Sequence, residues 1–396
     1  MKVPGLVAIP IFAALTFAAS CQAADTLAVL PLFNVNEARS PNLDWIGESA
    51  AETIREALSG SGLLVLSREE REEVYKRLSL RTGVVLTKAS VMKIGVTLDA
   101  TRVVFGEFRV NGAETGATNT KSSLRLSLHV IELRKPHEGP ELTEDGPLED
   151  LSAMETRLAW MLLKQLTPAT TPAEEDFTHD RPPVRVEAME SYIRGLMATG
   201  AEQKMKLFTQ AATLDAHFSQ PNFQLGRMLF AKKDYRGAQA ALARVTKADS
   251  HSLEALFVMG ICRFHTGDFE GAAADFRAVL AEVPLNEVYN NLGAALSRRG
   301  DAAAAENFSK ALEGDAGDPD YWFNLGYALW RQGQFKPAAE KFRAALDRVP
   351  GDGEATTMLG RCLKSEGPRA GEAGKERIKT TFEDSAWRQL QAELRN

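Results

Sequence analysis

The sequence predicts a multi-domain α+β/α protein, in which a small α/β amino-terminal domain is followed by an all-α solenoid. Three observations carry that prediction. Short β-branched and aliphatic runs alternate with amphipathic stretches between residues 25 and 166. Glycines recur at 226, 260, 293, 326 and 360, separated by 34, 33, 33 and 34 residues, each inside the same local pattern. A stretch rich in Pro, Thr and acid, residues 167–184, divides the two.

Composition limits the function classes before any motif is read. The chain has 396 residues, 44% hydrophobic, with 47 basic against 53 acidic residues and a formal net charge of -6. A general nucleic-acid binder needs a basic stripe to neutralise phosphates, and this balance argues against one. Three cysteines are too few for a disulfide-stapled scaffold. Met1 to Ala24 has a single charge, Lys2, then an apolar run from Leu6 to Ala19 and small residues after it, the layout of a secretory signal. The run is shorter than the roughly 20 apolar residues that cross a bilayer, so no transmembrane span is expected. Two processing routes fit its end. Cleavage after Ala23 or Ala24 discards Cys21, whereas Ala18-Ala19-Ser20-Cys21 resembles a bacterial lipobox and would leave Cys21 lipidated; it departs from that pattern in having Ala18 where Leu is usual. Cys262 and Cys362, in repeats that are not neighbours, read as small buried side chains.

The amino-terminal elements follow in order. Thr26–Leu32 reads as a buried strand. Asp44–Ser59 carries Ile46, Ala50, Ile54 and Leu58 at four-residue steps, an amphipathic helix closed by Gly60. Leu63–Ser67 is a second strand, and Ser67 with Glu70 forms a capping box that opens a charged helix through Leu78. A short helix is expected over Lys88–Ile94 and a third strand over Arg102–Val110. Leu124, Leu126, Leu128 and Val130 alternate with polar residues, which marks the second arm of a hairpin with one buried face. Leu151–Leu166 makes the last helix. The stretches from Lys135 and from Thr167 to Pro183 lack the apolar content to fold alone and read as solvated connectors.

This β-α-β-α-α-β-β-α order, with AVLPL near its start, SREE after the second strand and VVFGEF in the third, resembles the amino-terminal domain of the TolB type, found in exported bacterial envelope proteins. The resemblance implies an interaction domain over residues 25–166 without a catalytic centre.

From residue 185 to 396 the chain repeats itself. LGRMLFAKKDYRGAQAAL, MGICRFHTGDFEGAAADF, LGAALSRRGDAAAAENF and LGYALWRQGQFKPAAEKF share one skeleton, with a turn glycine (Gly267, Gly300, Gly333) after three of the anchors. Second helices place Ala272, Phe276 and Val279, or Ala338, Phe342 and Ala345, on one face. Small residues let two antiparallel helices approach, and the aromatic fills the wedge to the next pair. The skeleton resembles the tetratricopeptide repeat (TPR) family. Clear repeats span 219–352, a degenerate one precedes them at 187–218, and 353–396 holds a partial repeat whose second helix GPRAGEAG interrupts. Ser385–Arg395 is expected to cap the array.

The family resemblance implies that ligands lie along the concave surface of the first helices, at fixed offsets from each glycine. Those offsets select Arg227, Phe230, Phe257, Phe264, His265, Arg298, Phe323, Tyr327, Trp330, Arg331 and Arg361 as partner-binding residues. This subset mixes arginines with aromatics and contains no acid, so an extended peptide with acidic and apolar side chains suits it. The Lys/Asn arrangement that holds a terminal carboxylate in chaperone-binding members is absent.

Catalytic signatures fail in turn. No Gly-rich phosphate loop, nucleophile elbow or H-E-x-x-H occurs, the six His lack ligand spacing, and Ser90/Lys93 alone satisfies S-x-x-K without a K-T-G partner. No catalytic residue, metal or cofactor is assigned. The expectation is a non-enzymatic adaptor of the bacterial cell envelope, exported and periplasmic, binding a protein or peptide partner. The alternatives are a lipid-anchored assembly factor at the outer membrane, or an enzyme with its site at Ser90/Lys93.

Overall fold

The computed structural model describes residues 25–383 apart from 37–40, 82, 112–122, 135–136 and 248. The expected signal segment, Cys21 and the expected cap over Ser385–Arg395 lie outside the described residues. Among those described, no helix is long and apolar enough to cross a membrane.

Seven strands form one mixed sheet: β1 (Thr26–Val29), β2 (Phe33–Asn34), β3 (Leu64–Val65), β4 (Arg102–Asn111), β5 (Ser123–Glu132), β6 (His137–Glu138) and β7 (Leu142–Pro147). The path runs β3-β1-β4-β5-β6, with β2 paired to β4 and β7 to β5. The central hairpin pairs Val104 with Val130 and Phe108 with Leu126. Because successive strand side chains point to opposite faces, one sheet builds two cores. Leu27, Val29, Val104, Phe108 and the predicted Leu124–Val130 set pack under α1 (Asp44–Gly60) and α4 (Leu151–Leu166). Ala28, Leu30, Val103, Phe105 and Ile131 pack under α2 (Arg68–Arg77) and α3 (Lys88–Thr97). The capping box forms as the sequence indicates: Ser67 N–H donates to Glu70 Oε2 at 2.7 Å and Glu70 N–H to Ser67 Oγ at 3.2 Å.

Two segments expected to be solvated pack instead. Residues 142–147 pair with Ser123–Leu128, since an edge strand needs ladder partners more than apolar content. In the second segment, α5 (Glu174–His179) inserts Phe177, 2% exposed, into the core beneath α1 and α4. That core continues into α6 (Val186–Met197) and α7 (Ala201–Leu214), where Tyr192 meets Phe208 and Phe218 with ring centroids 5.8 and 5.0 Å apart. Gln220 Nε2 donates to Glu56 Oε2 at 2.9 Å across the same junction. The sheet region and the first hairpin therefore share one hydrophobic core.

Glu155 on α4 is fully buried against α1, accepting from Thr53 Oγ1 at 2.9 Å. Burial raises its carboxyl to about 8. A folded state that binds this proton more tightly than the unfolded chain loses stability as pH rises from the ordinary glutamate value of 4.5 toward 8, by about 1.4 kcal/mol per pH unit. Glu155→Gln is expected to remove that slope; thermal unfolding of both chains at pH 6 and pH 9 checks it.

The remaining helices stack as hairpins: α8 (Gln220–Ala231) with α9 (Tyr235–Leu242), α10 (Ser252–Thr266) with α11 (Phe269–Leu280), α12 (Asn286–Arg298) with α13 (Ala304–Gly314), and α14 (Pro319–Arg331) with α15 (Phe335–Arg348). α16 (Gly353–Leu363) follows and no second helix pairs with it among the described residues. Phe276, Phe308 and Phe342, the wedge aromatics, are fully buried. The turn glycines Gly267, Gly300 and Gly333 have φ of +86°, +73° and +75°, and in the α8–α9 hairpin Lys233 occupies this left-handed position at +61°. A Cβ there costs roughly 1–2 kcal/mol, partly offset in glycine by its unfolded-state entropy. Lys233→Gly is accordingly expected to stabilise the protein by about 1 kcal/mol in denaturant unfolding.

Candidate functional site

The first helices α8, α10, α12, α14 and α16 touch one another in sequence and form the inner wall of the array. After α16 the chain turns back and runs through that trough. Trp330 Nε1–H donates to the Glu366 carbonyl at 2.7 Å. The Arg361 guanidinium lies 4.4 Å over the Trp330 ring, donates to the Gly367 carbonyl at 2.6 Å, and pairs with both carboxylate oxygens of Glu372. Gly371, at φ +74°, turns the chain into the trough.

The peptide backbone is then held by asparagines. Asn324 accepts from Arg377 N–H at 2.8 Å and donates to the Arg377 carbonyl at 2.7 Å. Asn290 donates to the same carbonyl at 2.9 Å and accepts from Asn324 at 2.8 Å. Asn291 repeats the arrangement one step on, accepting from Lys379 N–H at 2.7 Å and donating to the Lys379 carbonyl at 2.8 Å. All three asparagines are fully buried. A carboxamide offers a donor and an acceptor side by side, so it satisfies both polar groups of one extended residue much as a neighbouring β-strand would.

Side chains add charge recognition. The Glu376 carboxylate, its side chain fully buried, accepts from Ser297 Oγ at 2.7 Å and lies 2.5 Å from Arg298 Nε and 3.2 Å from Arg331. Arg377 pairs with Asp352 through both nitrogens at 2.7 and 2.9 Å, reaches Asp320 at 3.2 Å, and covers the Phe323 ring at 3.6 Å. Its bonds hold the Asp352 carboxyl below the ordinary value. Lys379 Nζ meets Asp318 at 2.6 Å and Asp320 at 2.7 Å. Ile378 and Phe382 complete the seat against apolar walls, the Phe382 ring 5.2 Å from Phe257. Asp318 and Asp352 have a second task, since each also caps its helix by accepting from backbone N–H groups.

The offset rule brought together residues with different fates. Arg298, Arg331, Arg361, Phe257, Phe323 and Trp330 all touch the segment 366–383, as described above. Tyr327 is buried beside Trp330, ring centroids 5.4 Å apart. Phe264 is buried under Arg298 at 5.4 Å. The remaining three stand apart from the seated segment among the described residues: Arg227 is exposed over Phe223, Phe230 is half-buried near Tyr235, and His265 stacks on Tyr235 at 4.4 Å. Burial, with Lys233 and Arg298 nearby, pulls the His265 imidazole below its ordinary value.

Two sequence expectations change. The wall contains acids, Asp318, Asp320, Asp352 and Glu354, because helix starts as well as helix middles face the trough. The segment it accommodates therefore carries three cations, Lys375, Arg377 and Lys379, beside its one buried carboxylate. Asn291 and Asn324 were missed because both stand two residues before their glycines, a position outside those offsets; the recurrence of Asn at that position in two successive repeats was the available signal.

Elsewhere, Ser90 lies in the first turn of α3, its amide donating to Thr87 Oγ1 at 3.3 Å and its hydroxyl 3.1 Å from the same oxygen. Cys262 and Cys362 are free and buried, and burial pushes their thiols up to about 12 and about 11. Among the described residues Glu56, Asp249 and His251 converge within 4.8 Å. His251 Nδ1 lies 3.3 Å from Asp249 Oδ1 and 3.7 Å from Glu56 Oε1, so these donors engage one another across the junction of the sheet region and the array.

The tetratricopeptide repeat family model matches residues 223–287 and 290–363. No curated protein is significantly similar to the chain. Similar solved structures include MamA, 18% identical over 39% of this chain and 91% of its own, with a TM-score of 0.36. A second MamA, residues 41 to the end from Desulfovibrio magneticus RS-1, is 22% identical over 42% of this chain and 95% of its own, with a TM-score of 0.38. YrrB, described as a TPR protein with an unusual peptide-binding site, is 19% identical over 47% and 90%, with a TM-score of 0.35.

Proposed function

We propose that this chain, whose residues 223–363 carry tetratricopeptide repeats, is a non-enzymatic protein-interaction module of the bacterial cell envelope that binds an extended polypeptide in its concave trough. One observation carries the reading. The trough grips the extended backbone of the chain's own Arg377 and Lys379 through Asn290, Asn291 and Asn324, a mode that reads polypeptide main chain while the charges around it select side chains. The sheet region, whose sequence resembles the amino-terminal domain of the TolB type, supplies a second docking body fixed to the array through their shared core. Export rests on Lys2 and the apolar run from Leu6 to Ala19.

A photo-crosslinking side chain placed at Arg227, His265 or Arg298 of the full chain should yield protein adducts in envelope fractions. The same group at Lys310, on the second helix of its hairpin, should yield none. Equal labelling from all four positions overturns the groove reading. Mass spectrometry of the mature amino terminus separates cleavage after Ala23 or Ala24 from lipidation at Cys21, and an intact Met1 in the mature product overturns export.

A further inference from the structure

We propose that the segment 372–383 is a resident internal ligand, and that the groove's external partner is an extended peptide of the same chemistry which displaces it: a small residue, then Glu two positions on, followed directly by Arg, an aliphatic and Lys. The proposal rests on the peptide-binding reading above and deepens it by naming the ligand pattern.

The seat is unlike a folding core. Its contacts are polar and pairwise, made from irregular extended chain to helix side chains, and the segment continues from residues 367–371, a stretch without helix or strand. Few apolar groups hold it: Ile378 and Phe382 are only partly buried. Segments with few buried apolar contacts and partly exposed hydrogen bonds open at low free energy, independently of the core. The array's own wedge, Phe276, Phe308 and Phe342, is filled without the segment.

The pattern follows from the partners. Gly374 lies against the Arg298 guanidinium, which a Cβ would have to displace from Glu376, so a small residue suits this position. Glu376 answers Ser297, Arg298 and Arg331. Arg377 answers Asp352 in bidentate geometry and Asp320 through one nitrogen, over an aromatic face, a combination that lysine does not reproduce. Lys379 answers Asp318 and Asp320.

Two measurements test it. In native-state hydrogen exchange of the wild-type full chain, the amides of Arg377 and Lys379, which donate to Asn324 and Asn291, should exchange through an opening that leaves the α12 and α14 core amides protected. Exchange only in step with those core amides overturns the proposal and makes the segment a permanent part of the fold. In the second, a fluorescent synthetic peptide of residues 371–383 is titrated into the wild-type full chain and into the full chain carrying Arg377→Glu and Lys379→Glu. The double variant should bind the peptide at least tenfold more tightly than the wild type, and a peptide bearing Arg377→Glu should bind neither. Equal affinity for both chains, or loss of the array's helical signal in the double variant, overturns it. A closed segment with adducts still forming at Arg227 and His265 would refute this inference alone; a displaceable segment without any groove-specific adduct would refute the function alone.

Discussion

Glu376→Lys is expected to expel the 372–383 segment from the trough while the array stays folded. The wild-type carboxylate is completely buried between Arg298 and Arg331, with the Ser297 hydroxyl on one oxygen. An ammonium there would place three cations together and remove the carboxylate that Arg298 and Arg331 share, leaving them only neutral acceptors, the Gly374 and Ser297 carbonyls. Removing one partner of a buried ion pair costs about 3–5 kcal/mol, and the low end applies because both arginines are partly exposed. The chain avoids most of that penalty by letting the segment leave, since Arg298 and Arg331 then regain water. The loss in global stability is thus capped by the free energy that seats the segment. Limited trypsinolysis should cut after Arg377 and Lys379 at least tenfold faster, with the helical signal unchanged. Charge reversal in trans supplies the control: Arg298→Glu combined with Glu376→Arg should recover part of the protection, since neighbouring charges couple non-additively. A single cooperative loss of the whole array would contradict the expectation.

A second large stability effect is expected at Gly293. A Cβ there would meet the Phe308 ring at 2.8 Å, inside any tolerable contact, and Phe308 is itself fully buried in the wedge. Gly293→Val must push α12 and α13 apart by about an ångström, because close-packed interiors absorb little volume. Overpacking of this kind costs about 1–3 kcal/mol, and the gain in helix propensity over glycine offsets less than about 1 kcal/mol. A net loss of about 2 kcal/mol is expected in denaturant unfolding. The substitution should also loosen the trough segment, because Asn290, Asn291, Ser297 and Arg298 all lie on α12. Phe308→Leu on the Gly293→Val background should restore part of the stability; full additivity of the two losses would show that the close approach is not the cause.

Both effects bear on what could be read in advance. The helix boundaries of α1, α2 and α4, the capping box at Ser67 and Glu70, and the close pairing at Gly293 were legible because each is a local statement: a period, a cap, a missing side chain. The positive-φ glycines at the hairpin turns were legible for the same reason. Strand β7 was not, because LTEDGP has little β-propensity and its place depends on the free edge of β5. Phe177 was lost in a polar stretch, where one aromatic decides burial against sixteen neighbours' average.

The groove residues divide along the same line. The offsets that the family resemblance implies found Arg298, Arg331, Arg361, Phe257, Phe323 and Trp330, since a repeat places equivalent positions on the same inner wall. Those offsets left out Asn291 and Asn324, and they left out the acids at the starts of α14 and α16, which read as helix caps. Asp318 and Asp352 are indeed caps, and a capping carboxylate keeps a free lone pair to offer a cation.

Sequence by itself thus determined the repeat architecture, the sheet with its flanking helices, and the inward face of each hairpin, all consequences of periodicities shorter than forty residues. Tertiary structure alone decided that the sheet region and the array share a core, and that the chain's own 372–383 segment lies in the trough. Those outcomes depend on complementarity between groups far apart in the chain, 88 residues for Asn291 with Lys379 and 164 for Glu56 with Gln220, and no local pattern encodes such pairings.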